Sequence, residues 1–398
     1  MTRQRTGGLA AERFAIAVDE RELLDLKGRI NATRWPPAAP GDPWEQGTDL
    51  GYLRELLRYW AEEFDWRAQE LELNGFEHYR AEIEGVRIHF VHERARRGDG
   101  IPLILTHGWP SSFVEYLPLV PLLTDPVAHG IDGPAFDLVI PSLPGYSFSE
   151  RPSRRVTYRD VAGLWHKLMR GLRYERYGTG GSDFGSGVAT FMALDDPQPL
   201  LGLYLTNLEL SPYTGPGSRA LSAAERAYLA QAEQWDATER GYTAIQSTKP
   251  QTLAYALNDS PTGLAAWIVE KWRAWSDSGG ELESRVSRDF LLAIVTLFWV
   301  TQTMPTSIRD YFDNRRWQGE PRLGPDDLVH VPTGVAHFPH MFVPEGEAPR
   351  EWAERLYDVV RWTPMPRGGH FAAAEEPELV ARDIASFFAE QTRGGVSV

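Results

Sequence analysis

The chain has 398 residues, with 41 Lys and Arg against 55 Asp and Glu, so its formal net charge is −14. An acidic chain is a poor partner for nucleic acid, because like charges repel. Cysteine is absent, which excludes disulfides, thiolate nucleophiles and cysteine-ligated metal sites. Since 42% of the residues are hydrophobic, we expect a globular protein with a large core whose chemistry uses oxygen and nitrogen groups.

The first 98 residues predict a helical extension that packs on the rest of the chain. Apolar residues recur at helical spacing through 19–31 and 50–72, with a proline-rich loop between them. No apolar run is long enough to span a bilayer, and Glu12 and Arg13 interrupt any signal-peptide core. We therefore expect a soluble, cytoplasmic protein without membrane association.

From residue 79 the pattern changes to strands that alternate with helices. An alternating stretch at 79–90 is followed by buried-strand runs at 102–106, 136–141, 174–179, 201–206, 328–331 and 359–363. This alternation favours an α/β fold with a mostly parallel sheet and helices on both faces.

One long segment, 211–324, breaks the alternation and has only helical patterns, at 221–233, 262–275 and 287–301. It predicts a helical lid inserted after the sixth strand, over the carboxyl ends of the strands, where open α/β sheets bind ligands. The predicted division is an extension at 1–98, an α/β core at 99–210 and 325–398, and a lid at 211–324.

The glycine-rich segment 178–187 (GTGGSDFGSG) joins a predicted strand to a predicted helix. A phosphate-binding P-loop would need Lys followed by Ser or Thr after its last glycine, and neither is present. A dinucleotide fingerprint beginning at Gly178 would place Asp183 where its third glycine belongs, and that carboxylate would repel a pyrophosphate. These exclusions leave the nucleophile elbow as the better template.

In a nucleophile elbow, small residues stand two positions before and two after the exposed nucleophile. Asp183 satisfies this rule, because Gly181 and Gly185 flank it. The neighbouring serines do not, because Phe184 would occupy a flanking position in either case. Asp183 is therefore the candidate nucleophile, and a plain helix N-cap is the alternative role for this residue.

Two further motifs supply what nucleophilic catalysis needs. Residues 107–110 (HGWP) follow the strand 102–106, where folds with such an elbow place a second N–H donor. The predicted oxyanion hole consists of the backbone N–H groups of Trp109 and Phe184, each worth about 3 to 4 kcal/mol of barrier. His370 follows the last predicted strand, at the position of a general base, with a capping or core histidine as the alternative.

These motifs resemble the microsomal-type epoxide hydrolases, which include the insect juvenile-hormone epoxide hydrolases and soluble bacterial members. The resemblance runs over nearly the whole chain, through residues 33–36 (TRWP), 64–66 (FDW), 245–250 (IQSTKP), 257–261 (LNDSP) and 367–373 (RGGHFAA). It implies an α/β-hydrolase fold with Asp183 as nucleophile and His370 as base. It also implies that Tyr242 and Tyr311 in the lid hold the epoxide oxygen, and that no metal or other cofactor is required.

The chain departs from this family at the acid that orients the histidine. The family places a carboxylate shortly after a Phe-Pro pair, whereas here residues 338–339 (FP) are followed by His340 and Met341. The candidates in the loop that follows are Glu345, which we favour, and Glu347. The alternative is an acid just after the sixth strand, near Asn207 or Glu209, with Glu209 as the next choice. A neutral partner or a water is a further alternative.

The predicted function is hydrolysis of a small-molecule epoxide to a vicinal diol through a covalent ester on Asp183. Water activated by His370 would cleave that ester. A haloalkane dehalogenase would use the same ester, but it would hold a halide with indole or amide N–H groups rather than two phenols. The missing acid also leaves open a non-catalytic carrier of hydrophobic ligands, while the elbow spacing disfavours a serine esterase. Homodimer formation and the identity of the epoxide are left open.

Overall fold

The computed structural model describes residues 9–314 and 322–393. In this part of the chain the strands form a single nine-stranded sheet. The strands are β1 (Ala11–Arg13), β2 (His78–Ile83), β3 (Val86–Glu93), β4 (Ile101–Thr106), β5 (Phe136–Pro141), β6 (Tyr177–Gly181), β7 (Leu200–Leu205), β8 (Val329–His337) and β9 (Tyr357–Pro364). Their spatial order is β1-β2-β3-β5-β4-β6-β7-β8-β9. The first three pairings are antiparallel, and all pairings from β5 to β9 are parallel, so the predicted mostly parallel sheet is confirmed.

The helices cover both faces and one end of this sheet. The α-helices are α1 (Glu20–Asn31), α2 (Leu50–Glu62), α3 (Trp66–Leu73), α4 (Leu119–Thr124), α5 (Tyr158–Gly171), α6 (Phe184–Asp195), α7 (Ala223–Glu239), α8 (Gly241–Thr248), α9 (Pro250–Asp259), α10 (Pro261–Trp275), α11 (Arg288–Val300), α12 (Met304–Ser307), α13 (Arg309–Asp313), α14 (Pro344–Glu347), α15 (Arg350–Ala353), α16 (Ala372–Glu375) and α17 (Pro377–Arg393). Short 3-10 helices lie at Phe113–Tyr116, Pro126–His129 and Leu282–Ser284.

The N-terminal extension begins each of its three helices with an aspartate cap. The side chains of Asp19, Asp49 and Asp65 accept hydrogen bonds from backbone N–H groups of the first helical turn. The cap at Asp65 divides the predicted helix 50–72 into two, α2 and α3. The buried residues of these helices belong to the same hydrophobic core as the sheet and the lid, so the extension shares one core with the rest of the chain.

The helical lid, α7 to α13, lies between β7 and β8. It follows the seventh strand rather than the sixth, because the short edge strand β1 was not predicted. The strand predicted at 174–179 begins later, at Tyr177. The strand predicted at 328–331 continues to His337 as β8, and its pairing with β9 shifts register between Val329 and Pro332, as expected for a residue that has no N–H to donate.

Helix α11 is the most apolar of the lid helices, and nine of its residues are buried. Across the described ranges 9–314 and 322–393, no single helix has both the length and the apolar composition of a membrane span. The bent pair formed by α11 and the segment Met304–Asp313 reaches that length and composition only when its two arms, which meet at 88°, are counted together.

Candidate active site

The nucleophile elbow lies where β6 ends and α6 begins. Asp183 adopts φ +51° and ψ −130°, a backbone conformation that is costly for a residue with a side chain. A Cβ on Gly181 would lie 2.6 Å from the carbonyl oxygen of Thr106, and one on Gly185 would overlap the same carbonyl. Both glycines of the predicted pattern are therefore needed because the elbow packs directly on the end of β4.

Two backbone N–H groups hold one oxygen of the Asp183 carboxylate. Trp109 donates to Asp183 Oδ1 at 2.9 Å, and Phe184 donates to the same atom at 2.7 Å. Because Phe184 is the first residue of α6, Asp183 is also the N-cap of that helix. The N-cap role that the sequence offered as the alternative is therefore present as well. A Cβ on Gly108 would overlap the Asp183 side chain, which explains the glycine before Trp109. The predicted donors thus converge on a single oxygen and leave Oδ2 on the other side.

The serine beside the nucleophile faces away from this arrangement. Ser182 is buried, and its Oγ accepts a hydrogen bond from the Tyr116 hydroxyl at 3.1 Å. It also lies 3.5 Å from Glu115 Oε1. This burial disfavours Ser182 as a nucleophile, in agreement with the elbow spacing.

His370 faces the second carboxylate oxygen of Asp183. Its Nε2 lies 3.6 Å from Asp183 Oδ2, and its backbone N–H donates to the carbonyl of Trp275 in the lid at 2.9 Å. Burial disfavours the imidazolium, but the charges of Asp183, Glu115 and Glu345 outweigh burial and raise the pKa of His370 above its usual value. The chain therefore places a histidine within reach of the nucleophile and surrounds it with carboxylates.

The two lid tyrosines lie together above the elbow. The rings of Tyr242 and Tyr311 are 5.9 Å apart, and each lies 5.6 Å from the ring of Trp109. Tyr311 also packs edge-on against Phe184 at 4.8 Å. Burial is the largest cause that raises the pKa of each phenol, so both stay protonated and able to donate at neutral pH.

Helix α13, which carries Tyr311, is held by a buried ion-pair cluster. Arg151 donates to Asp310 at 2.6 Å and is also paired with Asp313. Asp313 accepts the backbone N–H of Val156 at 3.1 Å. Burial raises the pKa of Asp310 to about 6. The cluster ties Tyr311 to the loop before α5.

No direct contact within the described residues identifies the acid that orients His370. His370 Nδ1 is buried and makes no hydrogen bond within the described residues. The Glu345 charge acts on His370, whereas Glu347 interacts by charge with His340 and Glu209 accepts the Tyr158 hydroxyl at 2.9 Å.

The loops that carry two of these candidate acids are joined, because Leu208 N–H donates to the Glu345 carbonyl at 2.8 Å. Met341, which stands where the family places its carboxylate, is fully buried. The orienting role of Glu345 stays a prediction.

Sequence reasoning missed three neighbours of the site. Asn207, considered only as marking the place of an alternative acid, accepts the backbone N–H of Asp183 at 2.7 Å and so holds the strained elbow. Glu115 is buried beneath the site, and burial raises its pKa to about 7. The ring of Trp275 packs against His370 at 5.0 Å. The sequence signal for Glu115 was a lone carboxylate inside an apolar run. No sequence signal indicated that Trp275 would contact the histidine.

Comparison with known proteins identifies the family. Residues 11–116 match the model of the epoxide hydrolase N terminus, and residues 101–249 match that of the alpha/beta hydrolase fold. A putative epoxide hydrolase of Stigmatella aurantiaca is 41% identical over 94% of this chain and 84% of that protein. The chain belongs to the epoxide hydrolase family. Epoxide hydrolase 1 of Sus scrofa is 36% identical, over 94% of this chain and 87% of the relative.

Solved structures agree with this assignment. The crystal structure of juvenile hormone epoxide hydrolase from Bombyx mori has a TM-score of 0.86 at 30% identity, over 97% of this chain and 95% of that one. The epoxide hydrolase of Aspergillus niger has a TM-score of 0.83 at 29% identity, over 98% of both chains. The predicted α/β-hydrolase fold and epoxide hydrolase activity are confirmed, and a small-molecule epoxide is the substrate. The domain boundaries, the roles of the individual site residues and the cytoplasmic location stay predictions.

Proposed function

We propose that this epoxide hydrolase works through a covalent ester on Asp183, which water activated by His370 then cleaves. The observation that carries this proposal is that the two carboxylate oxygens of Asp183 have different neighbours. Oδ1 accepts both backbone N–H groups, while Oδ2 faces His370. In this proposal Oδ1 receives the developing charge and Oδ2 attacks the epoxide.

In the first step, Oδ2 of Asp183 attacks a ring carbon of the epoxide, and the bond from that carbon to the ring oxygen breaks. The electron pair of that bond stays on the ring oxygen as an alkoxide. Tyr242 and Tyr311 are both protonated and lie above the elbow, so they donate hydrogen bonds to this oxygen as its charge develops. The product is an ester on Asp183 that carries this alkoxide, with both phenols still protonated.

In the second step, a water attacks Cγ of Asp183 and gives a proton to Nε2 of His370. Negative charge then develops on Oδ1, which already accepts the N–H groups of Trp109 and Phe184. Collapse of this intermediate breaks the bond between Cγ and Oδ2, and His370 returns its proton to the departing alkoxide. The water oxygen stays in Asp183 as a carboxyl group that carries the second water proton. That proton neutralises the alkoxide of the first step, so Asp183 returns to a carboxylate and the diol leaves with Oδ2.

The proposal also assigns Glu345 as the group that stabilises the imidazolium. The support for this assignment is that its charge raises the pKa of both His370 and Tyr242. It acts through His370 and is therefore a positioning residue.

A single turnover in isotopically labelled water tests the ester mechanism. We expect the label in the carboxylate of Asp183 and not in the diol, because water attacks the acyl carbon. Asp183→Asn should show no turnover under the same conditions. Label that enters the diol directly during the first turnover would exclude the ester and favour direct attack of water on the epoxide.

A further inference from the structure

Lys271 is a buried cation that the proposed mechanism does not use. It lies on α10 with 7% of its surface exposed, and its Nζ is 4.5 Å from the ring centroid of Tyr242. The ring of Trp275, one turn further along the same helix, is 5.9 Å from the same Nζ. The ammonium is therefore enclosed between the lid tyrosine and the indole that packs on His370.

Burying a lysine costs free energy unless its charge is compensated. Glu270 pairs with Lys271 and offsets part of this cost, but the Glu270 side chain is 26% exposed. An ammonium that served only this pair would lie on the solvent side of α10. Instead it lies over the face of Tyr242, where the negative face of the ring attracts a cation.

Charge moves toward Tyr242 during epoxide opening. Before the step, the negative charge is on Asp183; after it, Asp183 is a neutral ester and the charge is on the alkoxide that the tyrosines hold. Burial is the largest cause that raises the pKa of Tyr242, and the carboxylates of Glu345 and Asp183 raise it further. Hydrogen bonds with Thr243 and Tyr311 lower it. A cation over this ring is attracted more strongly by the negative charge after the step than by the charge before it. An interaction that strengthens as the transition state forms lowers the barrier.

We propose that Lys271 is a positioning residue for epoxide opening. Its ammonium holds the Tyr242 ring and stabilises the negative charge that the phenol shares with the developing alkoxide. This inference rests on the role given to Tyr242 in the proposed function. It concerns only the first step, since ester hydrolysis places its charge in the oxyanion hole.

Single-turnover kinetics of both steps in Lys271→Met test the proposal. Methionine keeps most of the apolar stem and removes the charge. We expect ester formation to slow about 10-fold, on the scale of a desolvated cation–π contact, while hydrolysis of the ester stays within about twofold of wild type. Lys271→Arg should retain most of the rate. Equal slowing of both steps, or ester formation at the wild-type rate, would overturn the role.

Arg273→Met is the matched control. Arg273 lies on the same helix and places its guanidinium 4.3 Å from the ring centroid of Trp44 in the N-terminal extension, away from the lid tyrosines. The Arg273→Met variant should therefore form the ester at the wild-type rate. If Lys271→Met does not fold, Lys271→Gln serves for the same comparison.

A double-mutant cycle with Tyr242→Phe separates this inference from the proposed function. If Lys271 acts through the phenol, Lys271→Met has little further effect once the hydroxyl is absent; additive effects would contradict it. If Tyr242→Phe forms the ester slowly but Lys271→Met forms it at the wild-type rate, only the role of Lys271 fails. If Tyr242→Phe itself forms the ester at the wild-type rate, the role of Tyr242 fails, and that of Lys271 fails with it.

Discussion

The Nε2 atom of His370 lies 3.6 Å from Oδ2 of Asp183, the carboxylate oxygen that the two backbone donors leave unbound. The same pair of residues therefore sets both the geometry and the electrostatics of the site. Burial disfavours the imidazolium, and the Asp183 carboxylate is the largest cause that opposes it. Formation of the ester removes that charge from Asp183.

The pKa of His370 should fall when Asp183 is alkylated. In the free enzyme it lies above the usual value, and the neutral ester no longer favours the charged imidazole. Hydrolysis of the ester needs neutral His370, so its rate should rise with pH through a pKa lower than that of the free enzyme. NMR titration of His370 in wild type and in Asp183→Asn, beside the pH profile of ester hydrolysis, measures both values. An unchanged pKa in Asp183→Asn would contradict the electrostatic coupling.

His370→Gln should separate the two steps. Attack by Asp183 needs no base, whereas ester hydrolysis needs a group that accepts a proton from water. The variant should form the ester at nearly the wild-type rate and then stall. Intact-protein mass spectrometry should show a mass increase equal to the substrate. Turnover at the wild-type rate would remove His370 from the mechanism.

Tyr242→Phe and Tyr311→Phe should each slow ester formation by roughly 10- to 1000-fold, because each hydroxyl shares one developing charge. The double variant should be nearly inactive. Rapid-quench measurement of the ester gives the rates, and Thr248→Ala, at an exposed position of the helix that carries Tyr242, is the control for changes in that helix. Full rates in both single variants would return the tyrosines to a packing role.

Glu345→Gln should slow ester hydrolysis by roughly 10- to 100-fold and leave ester formation near the wild-type rate, since its charge acts on His370. Glu347→Gln and Glu209→Gln are the matched comparisons, because their carboxyl groups interact with His340 and Tyr158. Both should hydrolyse the ester normally. A larger effect in either of them would move the orienting role to that residue.

Glu225→Gln should destabilise the attachment of the lid to the core. Glu225 on α7 accepts two hydrogen bonds from Arg355, at 2.5 and 2.8 Å. These bonds are the largest cause that lowers its pKa from 4.5 to about 2. Losing one partner of such a buried pair costs about 3 kcal/mol.

Because the pKa of Glu225 is depressed in the folded state, its contribution to stability is complete above pH 4.5 and is lost as the pH falls through about 2. The difference in the free energy of unfolding between wild type and Glu225→Gln should therefore shrink over that range. Glu233→Gln, an exposed carboxylate on the same helix, should cause little change. Equal loss of stability in both variants would indicate a general charge effect.

The sequence alone located the candidate nucleophile, the candidate oxyanion donors and the candidate base. The steric needs of a tight turn are local, so the spacing of Gly181, Asp183 and Gly185 was sufficient to distinguish Asp183 from its serine neighbours. Chain order did the rest, because parallel strands end at one edge of the sheet and bring Trp109 and His370 to the same place. Alternation of strands and helices likewise predicted the sheet, and among the described strands it missed only the three-residue edge strand β1.

Only the tertiary structure showed which side chains meet within the lid and between the lid and the core. The contacts of Lys271 with Tyr242, of Trp275 with His370, and of Glu225 with Arg355 join residues that are up to 130 positions apart. The environments of Glu345, Glu347 and Glu209 differ for the same reason, although all three are plausible acids in the sequence. Such contacts depend on how helices pack, and periodicity specifies which face of a helix is buried but not what it is buried against.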